Sequence, residues 1–100
     1  MIAVELHPAA QAELEASITF YESRVEGLGQ RFLKEVEETA GRIASSPDAG
    51  SPSGGGLRKR LVPGFPFSMF YTVLDDYVLI LAIAHQHRRP GYWDRRVERH

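Results

Sequence analysis

The spacing of apolar residues changes along the chain, and each change marks an element. In residues 2–6, Ile2, Val4 and Leu6 alternate with smaller or polar neighbours, which predicts a short strand. Pro8 suits the first turn of a helix, where its missing N–H would have had no partner. Leu14, Ile18, Tyr21 and Val25 then recur at i, i+4, i+7 and i+11 and share one helical face. Gly27 and Gly29 interrupt that period. Leu28, Phe32, Val36, Thr39 and Ile43 resume it, with Leu33, Ala40 and Ala44 on the shoulder. The pattern predicts two amphipathic helices joined as an antiparallel hairpin, with Asp and Glu crowding the outer faces. Ser45-Ser46-Pro47 ends the second helix, and residues 47–56 read by composition as a mobile surface loop.

The second half of the chain predicts three strands. Residues 57–62 form the first, and residues 67–74 the second, opened by Phe65-Pro66 where proline suits a strand start. Residues 77–85 form the third, with Asp75-Asp76 as the connecting turn. An unbroken apolar run over residues 77–84 predicts a central strand covered on both faces. Residues 86–100 are basic and aromatic, with a final turn expected over 92–97. The expected architecture is β-α-α-β-β-β. It is an α+β fold in which a helical hairpin packs on an antiparallel sheet of about four strands, the first of them at one edge.

Composition narrows the picture in three ways. One hundred residues support a single domain, residues 1–100, with no room for a second core. The lack of cysteine excludes disulfides, thiol nucleophiles and Cys-ligated zinc. The longest apolar run falls far short of the roughly 20 residues of a membrane helix, and the N-terminus lacks the pattern of a secretory signal. The expectation is a cytoplasmic protein with no membrane partner. The net charge of −1 conceals a division: residues 1–56 carry four Lys/Arg against nine Asp/Glu, and residues 57–100 carry eight against four. A basic back half points to an anionic partner.

Two clusters carry candidate chemistry. In Arg58-Lys59-Arg60, strand alternation puts Arg58 and Arg60 on one face and Lys59 on the other with Leu57 and Leu61. Two guanidiniums about 7 Å apart match successive phosphates or carboxylates, although a charged edge strand needs no ligand at all. The second cluster is His85, His87, Arg88, Arg89, Tyr92 and Trp93. Imidazoles beside guanidiniums and a phenol are the groups that phosphodiester cleavage needs. One removes the 2′-OH proton, another protonates the leaving oxygen, and the arginines stabilise the phosphorane charge. The competing structural role is that Tyr92 and Trp93 simply close the open face of the sheet. His85 and His87 have no Asp or Glu close by in sequence, so no metal is expected, and no phosphate-binding glycine loop implies a cofactor. Phe20 lies off the core stripe of the first helix beside Ala9 and Ala16, a small apolar face suited to a partner.

Taken in order, several of these motifs resemble type II toxins of the RelE/ParE superfamily, in particular their ParE-like plasmid-stabilisation branch. They are Pro8-Ala9-Ala10, Gly27-Leu28-Gly29 with Arg31-Phe32, Ser46-Pro47 and Leu57-Arg58-Lys59-Arg60. Phe65-Pro66-Phe67 with Phe70-Tyr71 and the closing Ala84-His85, Arg88-Arg89-Pro90 and Tyr92-Trp93 complete the set. The resemblance implies a helical hairpin on an antiparallel sheet and a growth-inhibiting toxin held inactive by a cognate antitoxin. RelE-like members cleave ribosome-bound mRNA without metal, and ParE-like members poison DNA gyrase. The resemblance also implies that the RelE-like arginine, second arginine and tyrosine fall at Ser68, near His87 and at Trp93.

Gyrase is therefore the expected target, contacted through Arg58, Lys59, Arg60, Arg88, Trp93, Arg95 and Arg96. The alternatives are an endoribonuclease using His85, His87, Arg89 and Tyr92, or a degenerate toxin that retains only antitoxin binding. An antitoxin helix, acidic or amphipathic, is expected over Phe20, Ala9 and Ala16 and to reach Arg58 and Arg60.

Overall fold

The computed structural model describes residues 2–97. Strand β1 (Ala3–Leu6) leads into helix α1 (Pro8–Arg24) and helix α2 (Leu28–Ser45). Four strands follow: β2 (Ser51–Pro52), β3 (Arg58–Leu61), β4 (Phe67–Leu74) and β5 (Tyr77–His85). They form one sheet in the order β1-β5-β4-β3-β2. The α+β class, the helical hairpin and the edge position of β1 agree with the sequence pattern.

Two features differ from it. The sheet has five strands and is mixed, because β1 runs parallel to β5 with Ala3 opposite Tyr77 and Leu6 opposite Ile80. Short turns fix β3, β4 and β5 as antiparallel neighbours, but two helices separate β1 from the rest, and so long a crossover permits parallel pairing. The segment read as a mobile loop instead holds a 3₁₀ turn (Pro47–Ala49) and β2, which pairs with β3 through Ser51 opposite Lys59. Tyr71 explains its order. The fully buried phenol donates to the Pro47 carbonyl at 2.6 Å and accepts from the Gly50 N–H at 3.1 Å. Any Cβ at Gly50 would collide with that hydroxyl.

Local chemistry sets the helix ends. His7 caps α1, its Nδ1 accepting from the Ala9 N–H at 3.0 Å, with Pro8 in the first turn. The α1–α2 turn is held by the Glu22 carboxylate, which accepts from the Gly27 and Gly29 N–H groups at 2.8 and 3.0 Å. A Cβ at Gly29 would lie 2.6 Å from the Ile18 carbonyl oxygen, so the helices meet this closely only across a glycine. Val25, expected on the core stripe, lies just past the end of α1 and is exposed.

The sheet buries both faces. Beneath the helices, Leu14, Phe32, Val36 and Ile43 pack on Val62, Met69, Tyr71, Val78, Ile80 and Ile83. On the other face Leu57, Phe70, Leu79, Leu81, Ala84 and Trp93 form a second cluster, closed by the C-terminal segment. A bulge joins the two patterns. Phe70 opposes Ala82 while Tyr71 opposes Ile80, so Leu81 is the extra residue and shares the second face with Ala82.

Candidate functional site

A cleft of about 510 Å³ opens on the sheet face away from the helices. The strands supply Lys59, Leu61, Ser68, Phe70, Ala84 and His85, and the C-terminal segment supplies Gln86, Arg88, Pro90, Gly91, Trp93 and Asp94. Ser53 completes the lining. Trp93 is anchored by stacking on Phe70, with ring centroids 3.9 Å apart and planes inclined by 26°. The Arg88 guanidinium lies 4.4 Å from the centre of the Tyr92 ring. The result is an aromatic and aliphatic depression bordered by two cations, Lys59 and Arg88, with Asp94 in its lining and the His85 ring turned toward Phe67 on the helix-bearing face.

The C-terminal segment is held by a group that sequence patterning missed. Strand β1 stops opposite Ile80, so among the described residues β5 has no strand neighbour on that side from Leu81 onward. Glu13, on α1, accepts from the Ile83 N–H at 3.0 Å, from the Tyr92 hydroxyl and from both terminal nitrogens of Arg96. Arg96 in turn donates to the Leu81 carbonyl at 2.8 Å. Glu13 and Arg96 thus satisfy the backbone groups that an open edge would leave unpaired. Burial, the hydrogen bond to Glu13 and its negative charge push the Tyr92 phenol up to about 12.

The predicted site residues separate accordingly. Lys59, Arg88 and Trp93 meet in the cleft, whereas the His85 ring packs against Phe67 and lies 5.1 Å from the His87 ring. Arg58 and Arg60 lie on the helix-bearing face, opposite Tyr71 and Met69, while Lys59 lies opposite Phe70 on the cleft face. Arg58 donates to the Gly50 carbonyl at 2.7 Å. His87, Arg89 and Arg95 are exposed and do not line the cleft. Tyr92 and Arg96 are bound to Glu13. On α1, Phe20 is 51% exposed with the Arg24 guanidinium 4.7 Å from its ring centre, Ala16 is exposed and Ala9 half-buried.

His85 retains one polar group for chemistry. Its Nδ1 accepts from the His87 backbone N–H at 3.0 Å, which assigns the proton of the neutral ring to Nε2. In that state it is a donor rather than a base. Among the described residues no group of three or more His, Asp or Glu converges on a metal-sized site. No helix among them is long and apolar enough to cross a membrane.

Comparison with known proteins gives a consistent picture. A family profile described as the ParE toxin of type II toxin-antitoxin system, parDE, matches residues 4–90. A search of curated proteins finds no match. A solved structure of a chromosomal ParDE TA system from P. aeruginosa is similar, with a TM-score of 0.73 and 23% identity over 85% of this chain and 96% of the other. The toxin RelE of E. coli, as a mutant in the free state, has a TM-score of 0.70 and 14% identity over 98% and 96% of the two chains.

Proposed function

From the premise that this chain belongs to the ParE toxin family, we propose that it is the toxin of a type II toxin–antitoxin pair. In this reading an antitoxin holds it inactive in the cytoplasm. The free protein arrests growth by binding DNA gyrase through the cleft and carries out no bond cleavage of its own.

One observation carries the choice of binding over catalysis: the four acid–base candidates do not gather at one point of the cleft. The His85 and His87 rings lie 5.1 Å apart with His85 packed on Phe67, while Tyr92 is tied to Glu13. His85 borders the cleft, but its ring lies on the helix-bearing face with Phe67 and its Nδ1 is committed to the His87 N–H. The Tyr92 proton is engaged by Glu13, and a phenol pushed up to about 12 is a poor acid or base near neutrality. His87 and Arg89 lie outside the cleft. What the cleft does offer is Phe70 and Trp93 as an apolar anchor, with Lys59 and Arg88 at its border. An apolar floor bordered by exposed cations suits an acidic protein surface better than a reacting phosphodiester.

The antitoxin would contact the exposed Phe20 and Ala16 face of α1, where an amphipathic helix can lay an apolar stripe. Mapping 5′ ends of cellular RNA soon after inducing the protein without antitoxin tests the reading. Growth arrest with intact translated mRNA is the expected result. Codon-phased cuts confined to translated mRNA would overturn it in favour of a ribosome-dependent endoribonuclease, and absence of growth arrest would leave only antitoxin binding.

A further inference from the structure

The outer edge of the sheet is only half covered. Strand β2 pairs with Arg58 and Lys59 of β3 and goes no further. The Val62 N–H donates to the Phe67 carbonyl at 3.0 Å, which fixes the phase of the β3–β4 ladder. Arg60 and Val62 direct their backbone groups inward to β4, and by alternation Leu61 directs its N–H and carbonyl outward. Among the described residues Leu61 has no strand beside it on that side, and its side chain is 60% exposed.

A notch of about 470 Å³ runs along this open edge, lined by Arg42, Gly50, Ser51, Lys59, Arg60 and Leu61 among others. Among the described residues three cations line it and no carboxylate does; Glu38 lines the adjoining depression. Arg42 donates to the Thr39 hydroxyl. The Nε of Arg60 is buried and has no hydrogen-bond partner among the described residues. A buried, unpaired guanidinium N–H is costly to leave in that state, and a carboxylate is its best acceptor.

We infer that this edge receives a short, extended, acidic segment of the antitoxin. The segment adds as a further strand beside Leu61 and places a carboxylate against Arg60 and Arg42. The inference rests on the reading of this chain as an antitoxin-bound toxin and adds a second contact to the one over Phe20. Strand addition supplies backbone hydrogen bonds, and alternation dictates the side chains. The partner residue opposite Leu61 is apolar, and a flanking residue, on the other face, is Asp or Glu. Nucleic acid has no backbone N–H and C=O pattern to match the strand edge. A second copy of this chain would set Lys59 and Arg60 beside like charges, which disfavours self-pairing.

Amide hydrogen exchange on the wild-type toxin, alone and saturated with the antitoxin encoded beside it, reads the contact directly. The Leu61 amide is expected to exchange readily in the free protein and to be protected at least tenfold in the complex. Leu61→Pro removes the outward N–H together with the exposed leucine side chain but leaves the β3–β4 ladder intact, so with Leu61→Ala as its side-chain control it separates edge pairing from folding. Arg42→Glu tests the charge at an exposed position. Each is expected to weaken antitoxin binding about tenfold or more, and raised salt should weaken the wild-type complex. An intact complex whose Leu61 amide exchanges as in the free toxin would overturn the inference while leaving the antitoxin reading standing. Unchanged antitoxin affinity in Arg42→Glu, together with lost gyrase inhibition, would assign the notch to the target instead. Failure of the wild-type protein to bind that antitoxin at all would overturn both.

Discussion

Glu13 and Arg96 stand 83 positions apart in the chain and form an ion pair at 3.0 Å that closes the open edge of β5. Each also binds the backbone of that strand, Glu13 at the Ile83 N–H and Arg96 at the Leu81 carbonyl. The pair therefore does what another strand would otherwise do. It also holds Tyr92, and beside it Trp93, against the sheet, so a carboxylate on α1 shapes a cleft on the opposite face.

Removing that carboxylate should loosen the whole C-terminal segment. Glu13→Ala leaves the Ile83 N–H, the Tyr92 hydroxyl and the Arg96 guanidinium without their acceptor. An expected loss of about 2–4 kcal/mol follows, with Glu13→Gln losing roughly half as much because its amide oxygen still accepts. Urea unfolding followed by Trp93 fluorescence measures both. A change below about 0.5 kcal/mol in Glu13→Ala would contradict the role assigned to this residue.

Alkaline titration gives an independent view of the same contact. Folding raises the Tyr92 phenol from its ordinary 10 to about 12, chiefly by burial and then through Glu13. A raised folded value means that the stabilisation is fully present below pH 10. It is lost as pH climbs from there through about 12. Ultraviolet absorbance should show one phenol ionising near 12, and Glu13→Gln should bring that ionisation lower. A Tyr92 that ionises at its ordinary value in the native protein would contradict the hydrogen bond.

Two close approaches should tolerate little change. Gly29→Ala sets a methyl 2.6 Å from the Ile18 carbonyl oxygen and must push the helices apart, at a cost of about 1–3 kcal/mol. Tyr71→Phe removes both bonds to residues 47–50 and should cost about 1–2 kcal/mol while speeding exchange of the Gly50 amide. Wild-type stability in either variant would contradict the packing described.

On the proposed reading, the charged residues that border the cleft contact the target and those outside it do not. Lys59→Glu and Arg88→Glu place acids at the cleft border and should reduce inhibition of the target at least tenfold while the protein remains folded. His87→Ala and Arg89→Ala change exposed side chains outside the cleft and should still arrest growth. Loss of toxicity in both alanine variants, with antitoxin binding retained, would restore them to a catalytic set.

Much of this was legible from local pattern. Helical periodicity placed both helices, and alternation at β3, the Phe65-Pro66 opening of β4 and the unbroken apolar run of β5 placed the strands, because each signal depends on residues a few positions apart. Alternation also put Arg58 and Arg60 on the face opposite Lys59, as found, but could not say which face carried the helices. The parallel pairing of β1 was hidden because two helices intervene between it and β5. The ordered segment at 47–52 was hidden because Tyr71, which holds it, reads as one more apolar strand residue. Glu13 had no signal of its own. It read as one of many acids on an outer helical face, and its partners Ile83, Tyr92 and Arg96 are some 70 or more positions away.

The central claim is that the free protein acts by binding gyrase through the cleft. Supercoiling of relaxed plasmid by purified gyrase, measured with increasing wild-type protein and with Arg88→Glu, tests it most directly. Inhibition at micromolar wild-type protein that is lost in the folded Arg88→Glu variant is the expected result. Supercoiling unaffected by wild-type protein at those concentrations would contradict the claim.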